Sequence, residues 1–147
     1  MDRKSVDIKS MDRRSVFISY ALSDKAFARG IIEQLREKGI DVFVDDAASV
    51  GSGEAWARKV GQAIKNCIAV VAILPITGTP GANNTFFEIG LARAYNKKVL
   101  AVSPDRGTSP DGERQLPYES LDLLLLDGEK QPPGFIVDTL AQALEAA

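Results

Sequence analysis

From Ser15 onward, short apolar runs rich in β-formers alternate with segments whose apolar residues recur every three or four positions. Val16-Phe17-Ile18-Ser19 predicts a first strand. Ser23 or Asp24 can cap the helix that follows, where Phe27, Ile31 and Leu35 share a face and Gly39 supplies a left-handed stop. Val42-Phe43-Val44 predicts a second strand, and a polar, Gly-rich loop runs from Asp45 to Gly53. Trp56, Val60, Ala63, Ile64 and Cys67 fall on one face of a second helix. Ile68 to Leu74 is apolar without alternation, as in a central strand buried on both faces. Pro75 to Ala82 predicts a loop, Thr85 to Tyr95 a third helix and Lys98 to Val102 a fourth strand. Ser103 to Pro117 has no clear period. Leu121 to Leu126 predicts a fifth strand and Gly134 to Ala147 a closing helix with Ile136, Leu140 and Leu144 on one side.

Strands that alternate with helices need crossover connections, which are right-handed in nearly all cases. The pattern therefore predicts an α/β fold: a flavodoxin-like, doubly wound sheet of five parallel strands in the order 2-1-3-4-5. In such sheets ligands bind beyond the carboxyl ends of the strands, where the winding reverses. That crevice should be lined by Ser19, Tyr20 and Ala21 and by the loop from Pro75 into the third helix.

Composition narrows the chemistry. The 147 residues suit one domain, predicted over 15–147 behind a poorly ordered extension at 1–14. In that extension Met1 to Val6 is nearly repeated as Met11 to Val16, so Met11 is the expected working start. It lacks the apolar core of a signal peptide. Lys and Arg number 18 against 20 for Asp and Glu, which leaves no electrostatic footprint for nucleic acid or an anionic membrane. No apolar run approaches a bilayer span. A single cysteine, Cys67, reads as a small core residue and points to a reducing, cytoplasmic setting. There is no histidine, which excludes Ser-His and Cys-His nucleophile pairs and histidine-ligated zinc.

Several functions of this architecture fail at the residue level. A phospho-acceptor receiver needs an Asp after strand three, where this chain has Leu74 and Pro75. The segment Ser19 to Asp24 has no Gly with which to nest a flavin phosphate, and there is no P-loop. Gly51-Ser52-Gly53 follows the second strand and lacks the third Gly of a dinucleotide fingerprint. One acid stands out. Glu88 lies early in the third helix, at the crevice edge, among Phe86, Phe87 and Ile89, a dry setting in which a carboxylate acts strongly on developing positive charge. The same spacing also fits a capping box, with Thr85 as N-cap and Glu88 as its partner three residues on. Trp56 reads either as core or as a stacking surface, and Asp45 and Asp46 either as turn formers or as site residues.

These residues resemble a known family. Val16-Phe17-Ile18-Ser19-Tyr20 with Ser23-Asp24-Lys25 is similar to the opening of a TIR (Toll/interleukin-1 receptor) domain, and Gly39 to Asp45 to its second strand. The loop ending Gly53-Glu54-Ala55-Trp56 resembles the family's BB loop, Ile68 to Pro75 its third strand and Phe87 to Ala92 its third helix. Lys97 to Val102 fits the fourth strand. The resemblance spans Ser15 to Ser103 and is strongest with the bacterial stand-alone type.

The resemblance implies an activity. Many such domains are NAD+ nucleosidases or ADP-ribosyl cyclases that cleave the nicotinamide–ribose bond, and some make cyclic signals in antiphage defence. The family's catalytic glutamate maps onto Glu88. Ser19, Tyr20 and Ala21 would lie along the substrate, and Asp45 with the loop through Gly53 to Trp56 would close over it. Asn84 stands where many members carry Trp, four residues before the acid, so Tyr20 or a neighbouring Phe would provide the stacking surface. Such chemistry needs neither metal nor bound cofactor, with NAD+ as substrate. The resemblance further implies self-association through the BB loop, Asp45–Gly53, and a downstream effector that senses the product. Two alternatives stay open: a non-catalytic module that docks to other TIR domains, and a nucleoside 2-deoxyribosyltransferase-like enzyme, whose Thr-x-Phe-Glu-x-Gly pattern is similar to Thr85 to Gly90.

Overall fold

A computed structural model describes residues 15–44, 54–76, 82–104, 108–109, 112–113, 123–127 and 133–145. The strands are β1 (Ser15–Ser19), β2 (Asp41–Val44), β3 (Ala69–Ile73), β4 (Lys98–Ser103), the two-residue pair β5 (Thr108–Ser109) and β6 (Gly112–Glu113), and β7 (Leu123–Asp127). The helices are α1 (Lys25–Glu37), preceded by a 3-10 turn at Leu22–Asp24, then α2 (Glu54–Lys65), α3 (Ala82–Ala94) and α4 (Pro133–Glu145).

The main sheet has the order β2-β1-β3-β4-β7 with every pairing parallel. It is the five-stranded, doubly wound arrangement that the strand–helix alternation predicts. β5 and β6 pair antiparallel, with Thr108 opposite Glu113. That pair falls in the stretch for which the hydrophobic pattern offers no element, since two-residue strands carry no readable period.

Side-chain alternation along each strand sorts the core into two layers. Val16 and Ile18 of β1, Val71 and Ile73 of β3, and Leu100 and Val102 of β4 pack against Ile31 and Leu35 of α1 and Ile136 and Leu140 of α4. Phe17, Val70, Ala72 and Val99 pack on the other face against Val60 and Ile64 of α2 and Ile89 and Ala92 of α3. Lys38 Nζ and Asp138 Oδ1, 2.8 Å apart, link the end of α1 to α4 at the surface.

Two helices end in the same way. Gly39, at φ +82°, follows α1; its N–H bonds the carbonyl of Arg36, and the Ile40 N–H bonds that of Leu35. Asn96, at φ +59°, follows α3 with matching bonds from Asn96 to Arg93 and from Lys97 to Ala92. Both are Schellman stops, in which a left-handed residue turns the chain back onto the last open carbonyls. The proposed side-chain cap of α1 does not form: Asp24 occupies the N-cap position without a capping hydrogen bond. It is instead 6% exposed, drawn inward by the 3-10 turn. The extension 1–14 and the loop Asp45–Gly53 lie outside the described residues.

Candidate active site

β1 is flanked by β2 on one side and β3 on the other, so the winding reverses beside it. Its last residue, Ser19, is two positions beyond Phe17 and therefore faces the α2/α3 layer. α3 lays Thr85, Glu88, Ile89 and Ala92 onto that same layer, at the i, i+3, i+4, i+7 spacing of one helical face. The two elements meet at a buried polar contact. Ser19 Oγ donates a hydrogen bond to Glu88 Oε1. Ser19 is 1% exposed and Glu88 3%.

A buried carboxylate requires partners, and a charge in a poorly solvated interior acts on its surroundings far more strongly than one in water. The dryness has a source other than the one expected. Phe87 is 41% exposed and Phe86 half-buried, because residues adjacent to Glu88 along a helix point about 100° away from it. Glu88 is buried because its face of α3, shared with Thr85 and Ala92, packs on the sheet.

The capping-box reading does not hold. α3 begins at Ala82, so Thr85 lies in the fourth helical position and cannot be the N-cap. Glu88 is correspondingly in the second turn, and its hydrogen bond to Ser19 comes from the sheet. Thr85 is fully buried, and its Oγ1 has no hydrogen-bond partner among the described residues.

Comparison with known proteins agrees with this architecture. The TIR domain family model matches residues 16–132. The chain belongs to the TIR domain family. A comparison with curated protein sequences finds no match. Among solved structures, this TIR domain is similar to a 2-desoxiribosyltransferase from Leishmania mexicana, with TM-score 0.53 and 14% identity over 85% of this chain and 97% of that one. It is also similar to a CMP N-glycosidase from Clostridium botulinum, with TM-score 0.52 and 22% identity over 88% of this chain and 98% of that one. At these identities the likeness is one of fold.

The other expected site residues of the TIR domain divide by position. Tyr20 follows Ser19 directly, is half-buried and packs against the α1/α4 layer. Ala21 is fully buried, and its carbonyl accepts the Asp24 N–H at 2.9 Å. Asn84 is half-buried in the first turn of α3, four residues before Glu88 and so on the same side of the helix. Trp56 lies in the first turn of α2. Asp45 and Gly53 lie outside the described residues. Cys67 is a core residue, 1% exposed, and burial pushes its thiol up to about 12 against a weaker opposite pull from Lys97. It is a neutral thiol at pH 7 and no nucleophile. Among the described residues no group of three or more His, Cys, Asp or Glu could hold a metal ion. Among them, too, no helix is long and apolar enough to cross a membrane.

Two features escape a reading of the sequence. The Ser19–Glu88 contact joins residues 69 positions apart, and only strand alternation combined with helical phase could have paired them. The buried hydroxyl of Thr85 is concealed because Thr followed three residues later by Glu is itself a helix-start signal.

Proposed function

We propose that this TIR domain cleaves the bond joining nicotinamide to ribose in NAD+, releasing ADP-ribose or a cyclic isomer that serves as a nucleotide signal in bacterial antiphage immunity. The observation that carries this reading is Glu88, a carboxylate buried on α3 and hydrogen-bonded to the end of β1 where the winding of the sheet reverses. Family membership supports it, since the family includes NAD+-cleaving enzymes. The names of the two similar structures, a 2-desoxiribosyltransferase and a CMP N-glycosidase, speak of glycosyl chemistry and point the same way.

The chemistry suits a chain without histidine. Nicotinamide carries a positive charge in NAD+ and leaves as a neutral molecule, so no general acid is needed. As the C1′–N bond breaks, its electron pair goes to the pyridine nitrogen and positive charge moves onto the ribose. Glu88, held close to the sugar, stabilises that oxocarbenium-like state. Water, or the adenine end of the same molecule, then takes C1′ and gives up its proton where the attacking atom carries one. One well-placed charge contributes about 3–4 kcal/mol, a few hundredfold in rate. Assembly belongs to the proposal: the loop Asp45–Gly53 of one copy closes over the pocket of the next, so specific activity rises with protein concentration.

The test is chromatography of NAD+ after incubation with concentrated protein, with ADP-ribose and its cyclic isomers as standards. Deoxynucleosides and CMP run in parallel. Loss of NAD+ with release of nicotinamide supports the reading. Turnover of a deoxynucleoside or of CMP with NAD+ left intact replaces it with the second reading, a nucleoside-type glycosyl enzyme, which the fold likeness to the Leishmania protein favours. No turnover of any substrate leaves a docking module.

A further inference from the structure

We infer that Ser19 is a positioning residue for Glu88: its hydroxyl, anchored at the end of β1, holds the carboxylate in the orientation that the sugar chemistry uses. The inference rests on the proposed cleavage of a glycosidic bond and adds to it a residue that acts through the acid.

A glutamate on a helix has three side-chain torsions, and burial alone does not choose among their settings. Ser19 has one torsion before its oxygen, and its backbone is fixed in the sheet. Ser19 pairs with Ala72 of β3, and the preceding residue, Ile18, pairs with both Val44 of β2 and Val71 of β3. The hydroxyl is therefore a rigid donor, and it donates to Oε1 of Glu88. The next two residues of its register row carry only methyl groups. Ala72 lies beside Ser19 and Ala101 beside Ala72, both fully buried, so neither side chain competes for the carboxylate. A charge whose direction is preset reorganises little as the transition state forms, which is where positioning contributes to rate. A contact serving stability alone would leave the bound chemistry unchanged when removed.

The experiment uses the full chain as parent, Ser19→Ala and Ser19→Thr, with two readouts. The first is the carboxyl carbon-13 resonance of Glu88 in glutamate-labelled, ligand-free protein, assigned by its loss in Glu88→Gln. It should move in Ser19→Ala and remain near the parental position in Ser19→Thr, which keeps a donor. The second is steady-state NAD+ cleavage. Ser19→Ala should lower kcat by about 10- to 100-fold with KM within about threefold of parent, the size of effect found when an orienting partner is removed. Ser19→Thr should recover most of that loss. An unmoved resonance in Ser19→Ala overturns the inference whatever the activity. So does an unchanged kcat, or an equal loss in both variants. If the parent leaves NAD+ intact, the proposed reaction fails, and the resonance still decides whether the hydroxyl holds the acid.

Discussion

β1 ends in Ser19, and the hydroxyl of that residue donates to Glu88 on α3, 69 positions later in the chain. The contact couples the end of a central strand to the one buried acid of the third helix, so the geometry of the acid is set by the sheet as well as by its own helix. Its consequences are open to measurement, as are those of the core around it.

Glu88→Gln should separate charge from shape. The Gln carbonyl oxygen can still accept from Ser19, so the fold should persist, with a stability change within about 2 kcal/mol for one altered buried hydrogen-bonding group. On the proposed reaction, NAD+ cleavage should fall by about 100-fold or more, because the charge that would face the sugar is gone. Circular dichroism and nicotinamide release read the two quantities. Parental turnover by folded Glu88→Gln would remove the acid from the mechanism.

Thr85→Val should stabilise the protein. The Thr85 hydroxyl is fully buried without a partner among the described residues, and Val keeps its shape while discarding the polar atom. A gain of about 1 kcal/mol is expected. Urea unfolding measures it, and a loss of stability would show that the hydroxyl has a partner in the folded protein.

The two left-handed helix stops should respond in opposite directions. Gly39→Ala places a Cβ at φ +82° and should destabilise by about 1 kcal/mol. Space is not the issue, since nothing lies within 4 Å of that Cβ. Asn96→Gly relieves the same strain at φ +59° and should be neutral to stabilising, by up to about 0.5 kcal/mol. Chemical denaturation of both variants checks the pair.

Cys67 should make stability fall at high pH. An unfolded cysteine loses its proton near about 8.5. The folded thiol, pushed up to about 12 by burial, keeps its own. Between those values the unfolded chain binds fewer protons than the native one, so unfolding becomes easier as pH rises. This contribution is present in full below about pH 8.5 and lost by about pH 12. Cys67→Ala should flatten that part of the stability–pH curve. Native protein at pH 8 should also resist thiol alkylation that the unfolded chain undergoes at once.

Most of the scaffold was legible in the chain. Val16 to Ile18, Val70 to Leu74 and Val99 to Val102 are apolar because both faces of their strands are covered, and such runs show through any local irregularity. Gly39 marks the end of α1 because few other residues tolerate its backbone angle. α3 starts about one turn upstream of the Thr85 signal. Thr85 and Glu88 carry a start signal at the right spacing, but Ala82 to Asn84 continue the helix upstream, and a short-range pattern cannot tell a helix start from the same residues inside a helix. Glu88 is dry, as its apolar neighbours in the sequence predict, but exposed Phe87 is not the reason: the face of α3 that carries Glu88 is the one packed on the sheet.

The sequence by itself determined the alternation of strands and helices, the sheet order that follows from right-handed crossovers, and the candidacy of Glu88 in a chain without histidine. These are local or topological properties, written in periodicity and in residue type. Only the tertiary structure decided what Glu88 touches, that Thr85 is buried inside a helix, and that Phe87 faces outward. A contact between a strand end and a helix face depends on the phase of both elements at once, and that phase is fixed when the two layers pack on the sheet.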